Sequence, residues 1–404
     1  MINRRTLLKR LAATPIVGAL FGSAAATSAA GSLLKAPTRD YFSELGLRTF
    51  INASGTLTAL SGSLMPDEVM EAMDYARHHY VRLDDIQDKV GARIAERLGC
   101  EAATVTSGCF SAMTLGMAGV MCGMDEEKVA QLPDPTGLKH EVLMPKPEHY
   151  VGYVHALTNA GAKIIEVETV EEMEASVNDL TAMIFVLNAY NGTDISHEDV
   201  VRIGKAHDIP TMNDCAADVP PVDVLWKYTD MGYDLVTFSG GKGMRGPQSA
   251  GLLLGRADLI AAARLHAPPR GETIGRGMKV NKEEVLGMLV ALERYLDMDH
   301  EAQWQGWEDQ IAYIESVVKE VDSVTTEIHV PEIANHVPNV RISWDQEVIP
   351  ITGNEVEEKL QAGHPSIELG GGENNVGVSV WMMRPGDERA VAWRIREVLE
   401  EAIA

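Results

Sequence analysis

Cysteine is nearly missing from this chain of 404 residues: four occur, Cys100, Cys109, Cys122 and Cys215. None makes a CxxC pair and no His/Cys spacing matches a zinc site, so neither a disulfide framework nor a metal site is expected. Isolated cysteines of this kind are expected as buried free thiols. HExxH is absent as well, which leaves "RHHY" at 77–80 as a helix face. Basic residues are outnumbered, 35 Lys and Arg against 59 Asp and Glu, for a formal charge of −24. Such a chain repels phosphodiester backbones, so no nucleic-acid partner is expected. After residue 30 no apolar run is long enough to span a membrane.

The first thirty residues stand apart. "INRRTLLKRLAATPIVGALFGSAAATSAA" carries Arg4, Arg5, Lys9 and Arg10 and no acid, then an apolar stretch and Ala-x-Ala patterns. This resembles a bacterial twin-arginine export signal, which predicts a periplasmic protein exported after folding. A retained N-terminal anchor is the alternative.

What the chain does have is alternation. Short apolar runs such as "AATVT", "HEVLMP", "TAMIFVL", "IPTMND" and "YDLVTF" are separated by helix-period segments. Strand and helix in turn predict an α/β domain with a mostly parallel sheet over 75–262, preceded by an N-terminal segment, 31–74. From 263 the texture changes to a Pro/Gly-rich crossing, long helices and then short strands. That predicts a small α+β C-terminal domain, 263–404.

One lysine, Lys242, sits among glycines in "SGGKGMRGPQSAG" after the run "YDLVTF". A P-loop is excluded, because Gly243 follows the lysine where that motif needs Ser or Thr. A surface turn, an anion site and a reactive amine remain. Ligands of open α/β sheets sit at the carboxyl ends of strands, and three other groups fall there. Ser107 and Gly108 open a helix, whose free N–H groups suit an anion, although Ser-Gly is also an ordinary cap. Asp214 ends its strand, where a carboxylate could hold a protonated ring nitrogen or merely cap a helix. Ser239 lies three residues before Lys242. The 28 residues from Asp214 to Lys242 fit one helix between neighbouring strands. Together the four describe a pyridoxal 5′-phosphate site: phosphate on the helix start and Ser239, ring nitrogen on Asp214, Lys242 as the amine.

"INASGTLTALSGSLMP", "FSGGKGMRGPQSAGLLLGR" and "GRGMKVNKEEVLGMLVALERY" resemble the fold-type I pyridoxal-phosphate enzymes of the selenocysteine synthase-like family, in the group that includes D-glucosaminate-6-phosphate ammonia-lyase. The resemblance runs from about residue 40 to the C-terminus. It implies a large domain and a small domain, a homodimer or higher homo-oligomer, and an active site shared across the interface. It implies Lys242 as the Schiff-base lysine, Asp214 as the ring-nitrogen partner, and Ser107, Gly108, Cys109 and Ser239 as the phosphate cup. His149 falls where relatives stack an imidazole, with His155 in reserve. Thr273 and Arg276 lie in the segment that relatives extend to the neighbouring cofactor. Cys109 and Phe110 replace small residues, and the loop "GMDEEKVAQLPDPTGLKH" is a candidate cover for the site.

The implied activity is a lyase: α-proton loss to Lys242 and departure of a β-hydroxyl, giving a 2-keto acid and ammonia. An aminotransferase or Cβ-exchange enzyme is the alternative on the same residues, and a binding protein without chemistry is a third. Action on charged tRNA is opposed by the acidic charge and the export signal. The signal also favours a small unphosphorylated amino acid or aminosugar acid, held by an arginine through its carboxylate. Arg384 is the leading candidate, with Arg245 and Arg276 behind it.

Overall fold

A computed structural model describes residues 39–403. The twin-arginine-like segment lies outside them. Two units are distinguished, Met1–Arg48 and Thr49–Ala404. The described part of the first holds one short helix, Tyr41–Glu44, with Asp40 as its cap.

The second unit begins with β1 (Phe50–Asn52) and carries a seven-stranded sheet built from β2 (Ala102–Thr106), β3 (Glu141–Pro145), β4 (Lys163–Val167), β5 (Thr181–Leu187), β6 (Thr211–Asp214), β7 (Leu235–Ser239) and β8 (Gly251–Gly255). Their spatial order is β2-β8-β7-β6-β5-β3-β4. All pairings are parallel except those of β8, which runs antiparallel to both neighbours. The apolar runs are buried on both faces, as a sheet flanked by helices requires. In β5, Ile184 and Val186 enter one core while Met183, Phe185 and Leu187 enter the other. The first core takes Ile94, Val200, Leu225 and Val285 from helices Leu83–Leu98, His197–His207, Val224–Met231 and Lys282–Asp297. The second is filled by helix Gly108–Cys122, buried nearly all round. A Cβ at Gly119 would lie 2.6 Å from the Ala263 nitrogen, so glycine there lets this helix touch helix Ala257–Leu265 backbone to backbone.

The C-terminal part holds a four-stranded antiparallel sheet of β9 (Thr325–His329), β10 (Asn339–Ser343), β12 (Gly370–Gly371) and β13 (Asn375–Ser379), in order β12-β13-β10-β9. Helices His300–Val318, Gly353–Ala362 and Asp387–Ile403 cover it. β1 leaves its sequence neighbours and pairs in parallel with β11 (Ser366–Glu368), which fastens the entry segment to the C-terminal core. The segment 123–140, a candidate cover for the site, holds helix Glu126–Gln131 and buries Val129, Leu132 and Leu138 beside helix Gly108–Cys122. All four cysteines are free: Cys109, Cys122 and Cys215 are buried and Cys100 is half-buried. Among the described residues no helix is long and apolar enough to cross a membrane.

Candidate active site

The carboxyl ends of β5, β6 and β7 open on one side of the sheet, and the chemically distinctive residues gather there. Asp214, the last residue of β6, is 6% exposed. One protein donor reaches it, the Ala216 N–H at 3.1 Å from Oδ1. Burial raises its pKa to about 7, against the opposing field of the Lys242 ammonium. A carboxylate so placed lacks a cation, and a protonated ring nitrogen would supply one.

Lys242 lies in the hairpin between β7 and β8. The turn is closed by Gly240 N–H to Ala250 O (2.9 Å), Gly246 N–H to Gly240 O (2.8 Å) and Arg245 N–H to Lys242 O (2.9 Å). Side chains are excluded from its inner face: a Cβ on Gly241 would stand 2.4 Å from the Gln248 Cα, and one on Gly243 2.2 Å from the Val219 oxygen. Gln248 also donates to Thr58 O at 3.1 Å, tying the hairpin to the entry segment. Lys242 itself is half-buried.

Helix Gly108–Cys122 begins without a side-chain cap, in contrast to the Asn281 and Thr352 capping boxes elsewhere. Its first N–H groups are therefore open to an anion. Ser107 Oγ points along the first turn to Ser111 Oγ at 3.0 Å, and Gly108 takes φ +84. Thr106 and Ser239 pair with the same residue of β8, Gly251. The helix start and Ser239 thus sit on one row across three strands. A Cβ on Gly251 would lie 2.6 Å from the Gly108 carbonyl carbon and 2.7 Å from the Cys109 nitrogen.

Other expected residues divide. The Cys109 side chain turns under the cup, its Sγ 3.1 Å from Thr237 Oγ1, and burial pushes its thiol well above the usual range. His149 is exposed and meets Tyr190 edge-on, with ring centroids 5.5 Å apart. His155 is exposed and bonds the Tyr150 hydroxyl at 3.0 Å. Thr273 donates to the His266 carbonyl at 2.7 Å, so its hydroxyl serves the crossing segment. Arg276 and Arg384 are both exposed, and the Arg384 backbone N–H is held by Asp387 in a turn. Arg245 is the arginine that goes inward. It adopts φ +55 and donates Nη2 to the Trp381 carbonyl at 2.5 Å, and burial lowers its pKa. Among the described residues no carboxylate pairs with Arg245 by salt bridge or hydrogen bond.

Four residues at the site escaped the sequence reading: Asn188, Tyr190, Asp218 and Thr237. Tyr190 follows β5, and burial, Tyr153 and the Asp214 charge all raise its pKa. A polar residue at the end of a buried apolar run was the available signal for Asn188, as it was for Asp214.

Residues 154–312 match the family model described as SelA, L-seryl-tRNA selenium transferase. The chain is 27% identical over 380 residues to the D-glucosaminate-6-phosphate ammonia lyase of Salmonella typhimurium, spanning 90% of this chain and 99% of that one. It is 26% identical to the 5′-C-glycyluridine monooxygenase-decarboxylase of a Streptomyces species, over 89% of this chain and 92% of the relative. A solved structure of D-glucosaminate-6-phosphate ammonia-lyase superposes with a TM-score of 0.80 at 25% identity, covering 91% of this chain and all of the other. A NifS-like protein superposes at 0.57 with 16% identity, which shows the fold alone. The fold is that of the fold-type I pyridoxal-phosphate enzymes, and the chain is similar in sequence to their selenocysteine synthase-like members.

Proposed function

We propose that this chain is a pyridoxal-phosphate-dependent ammonia-lyase acting by α,β-elimination on a small amino acid or aminosugar acid. The observation that carries the reading is Asp214, a buried carboxylate at a strand end, short of a cation and within the field of the half-buried Lys242. The uncapped helix start at Gly108, in one row with Ser239, supports it as a phosphate cradle. These residues fit the cofactor in charge as well as in kind.

When bound, pyridoxal 5′-phosphate supplies an electrophilic carbon for the amine and a protonated ring that takes up the electron pair released at the substrate α-carbon. The remaining work falls to the chain. The backbone N–H groups at the start of helix Gly108–Cys122, with the hydroxyls of Ser107 and Ser239, hold the phosphate. Asp214 would keep the ring nitrogen protonated. Lys242 would anchor the cofactor and, as a free amine, would take the α-proton on Nζ and return it to the departing β-hydroxyl, which leaves as water. Hydrolysis then gives a 2-keto acid and ammonia.

Arg245 is the candidate for the substrate carboxylate, because it is desolvated without an acidic partner while Arg384 and Arg276 lie exposed. The twin-arginine-like leader favours export of the folded protein to the periplasm and an unphosphorylated substrate. The family resemblance adds a homodimer or higher homo-oligomer with a site shared between subunits.

Two measurements test the reading. Borohydride reduction of the holoprotein followed by peptide mapping should place a pyridoxyl group on Lys242, and a label on another lysine overturns the assignment. A panel of D- and L-amino acids and aminosugar acids, with and without phosphate, should release ammonia and keto acid together. Release of carbon dioxide instead would mean the chemistry follows the decarboxylase relative.

A further inference from the structure

Behind Asp214 lies a chain of buried polar groups that the mechanism above does not use. Asp218 is 4% exposed, and its Oδ2 accepts a hydrogen bond from Asn188 Nδ2. The same Nδ2 donates to the Tyr228 hydroxyl oxygen at 2.8 Å, so both amide hydrogens of Asn188 are used. Asn188 Oδ1 can only accept, which places a proton on His197 Nε2, 2.8 Å away. Burial lowers the His197 pKa to about 4, so the ring is neutral and its Nδ1 accepts from the Tyr233 hydroxyl at 2.7 Å. Orientations are thereby determined from Tyr233 through His197 and Asn188 to Asp218. One atom is left over: among the described residues no N–H or O–H donor reaches the buried Asp218 Oδ1.

A network satisfied at every member but one marks the place where a further group is needed. Two lysines reach Asp218 with their charge, Lys242 and Lys227. Lys227 is exposed, over the Tyr228 ring. The Cys215 thiol also hydrogen-bonds this carboxyl; the other ionisable groups around it are Asp214, the Cys109 thiol and the Tyr228 phenol, and none of the four brings a positive charge. Lys242 is the half-buried cation on the side of the site.

We propose that Asp218 is a positioning residue for Lys242, its free Oδ1 receiving the lysine whenever that amine is detached and protonated. Asn188, His197 and Tyr233 brace the carboxyl for this. The inference rests on Lys242 being the cofactor-bearing amine. It divides the two buried carboxyls by role: Asp214 answers the ring nitrogen, and Asp218 answers the lysine. Charge then balances at each stage, because the ammonium formed on taking the α-proton finds a carboxylate already oriented.

The test is acetic anhydride labelling of the full chain across a pH series, with acetylation of Lys242 read by mass spectrometry. Added pyridoxal phosphate should protect Lys242 in the wild type; without protection the functional reading fails, and this inference with it. In cofactor-free protein, Asp218→Asn should raise the rate of Lys242 acetylation at a given pH by about tenfold or more, since the opposite charge that receives the ammonium has been removed. Asn188→Ser leaves the carboxyl without its brace and should shift labelling the same way by a smaller factor. This second variant also serves if the first does not fold. Glu198→Gln, an exposed acid beside His197, should leave Lys242 unchanged. Protection in the wild type with unaltered labelling in both network variants overturns the role of Asp218 and leaves the functional reading standing.

Discussion

Asp214→Asn should make the cofactor-free protein more stable, by a margin that grows as the pH rises from 4 to 7. In the fold, burial raises the Asp214 pKa from 3.8 to about 7. An acid whose folded pKa is raised favours folding least where it must ionise. At pH 4 the side chain is neutral in the fold, and variant and wild type should unfold alike. Between pH 4 and 7 the wild type loses stability relative to the variant, and above pH 7 the gap is constant. Three pKa units correspond to about 4 kcal/mol at roughly 1.4 kcal/mol per unit, an upper figure because buried sites relax. The Ala216 N–H keeps its acceptor in the variant, since the amide Oδ1 replaces the carboxylate Oδ1. Urea unfolding of cofactor-free protein near pH 5 and pH 8.5 reads the gap directly. Cofactor should reverse the order at pH 8.5, because a ring-nitrogen cation compensates the carboxylate and not the amide. A gap that is equal at the two pH values, or a wild type more stable than the variant at high pH without cofactor, refutes the reasoning.

Gly251→Ala should destabilise the fold by about 1–3 kcal/mol, as overpacking does, and weaken cofactor binding, because the new methyl meets the Gly108–Cys109 backbone. Urea midpoints and cofactor titration check the two effects. Arg245→Gln should remove a preference for carbonyl reagents bearing a carboxylate: the wild-type holoprotein is expected to react roughly 10- to 100-fold faster with aminooxyacetate than with methoxyamine, as charge-assisted pairs allow. A variant that keeps the wild-type ratio counts against Arg245. In native protein, Cys109 and Cys215 should resist alkylation near pH 8, since burial raises both thiol pKa values well above that range. Mass spectrometry after iodoacetamide treatment, with and without urea, measures it.

Lys242 and Asp214 were legible because each is a charged residue just past an apolar run, and strand ends of an α/β sheet face the ligand. Ser107 and Gly108 were legible as a helix start. The reversal of β8 was not, since "GLLLG" is apolar from either end and its direction follows from the hairpin that precedes it. Neither was the pairing of β1 with β11, three hundred residues away, where tertiary contact decides the partner. The arginines show the same limit. Arg384 follows the last apolar strand and Arg245 lies in a turn, but nothing in their spacing says which guanidinium the fold desolvates. The Asp218 network was beyond reach for a related reason. Asn188, His197, Asp218, Tyr228 and Tyr233 read separately as loop and helix-face residues, and become one object when β5, β6 and their following helices stack.

The antiparallel strand β8 also has a bearing on what changes this protein could tolerate. Because Gly251 is paired on both sides, the lysine hairpin is clamped between two registers at once. A residue inserted between Gly240 and Ala250 cannot be absorbed by sliding β8, since a one-residue slide turns Leu252 and Leu254 out of one core and Leu253 out of the other. Variation in this loop should therefore come as substitution at fixed length.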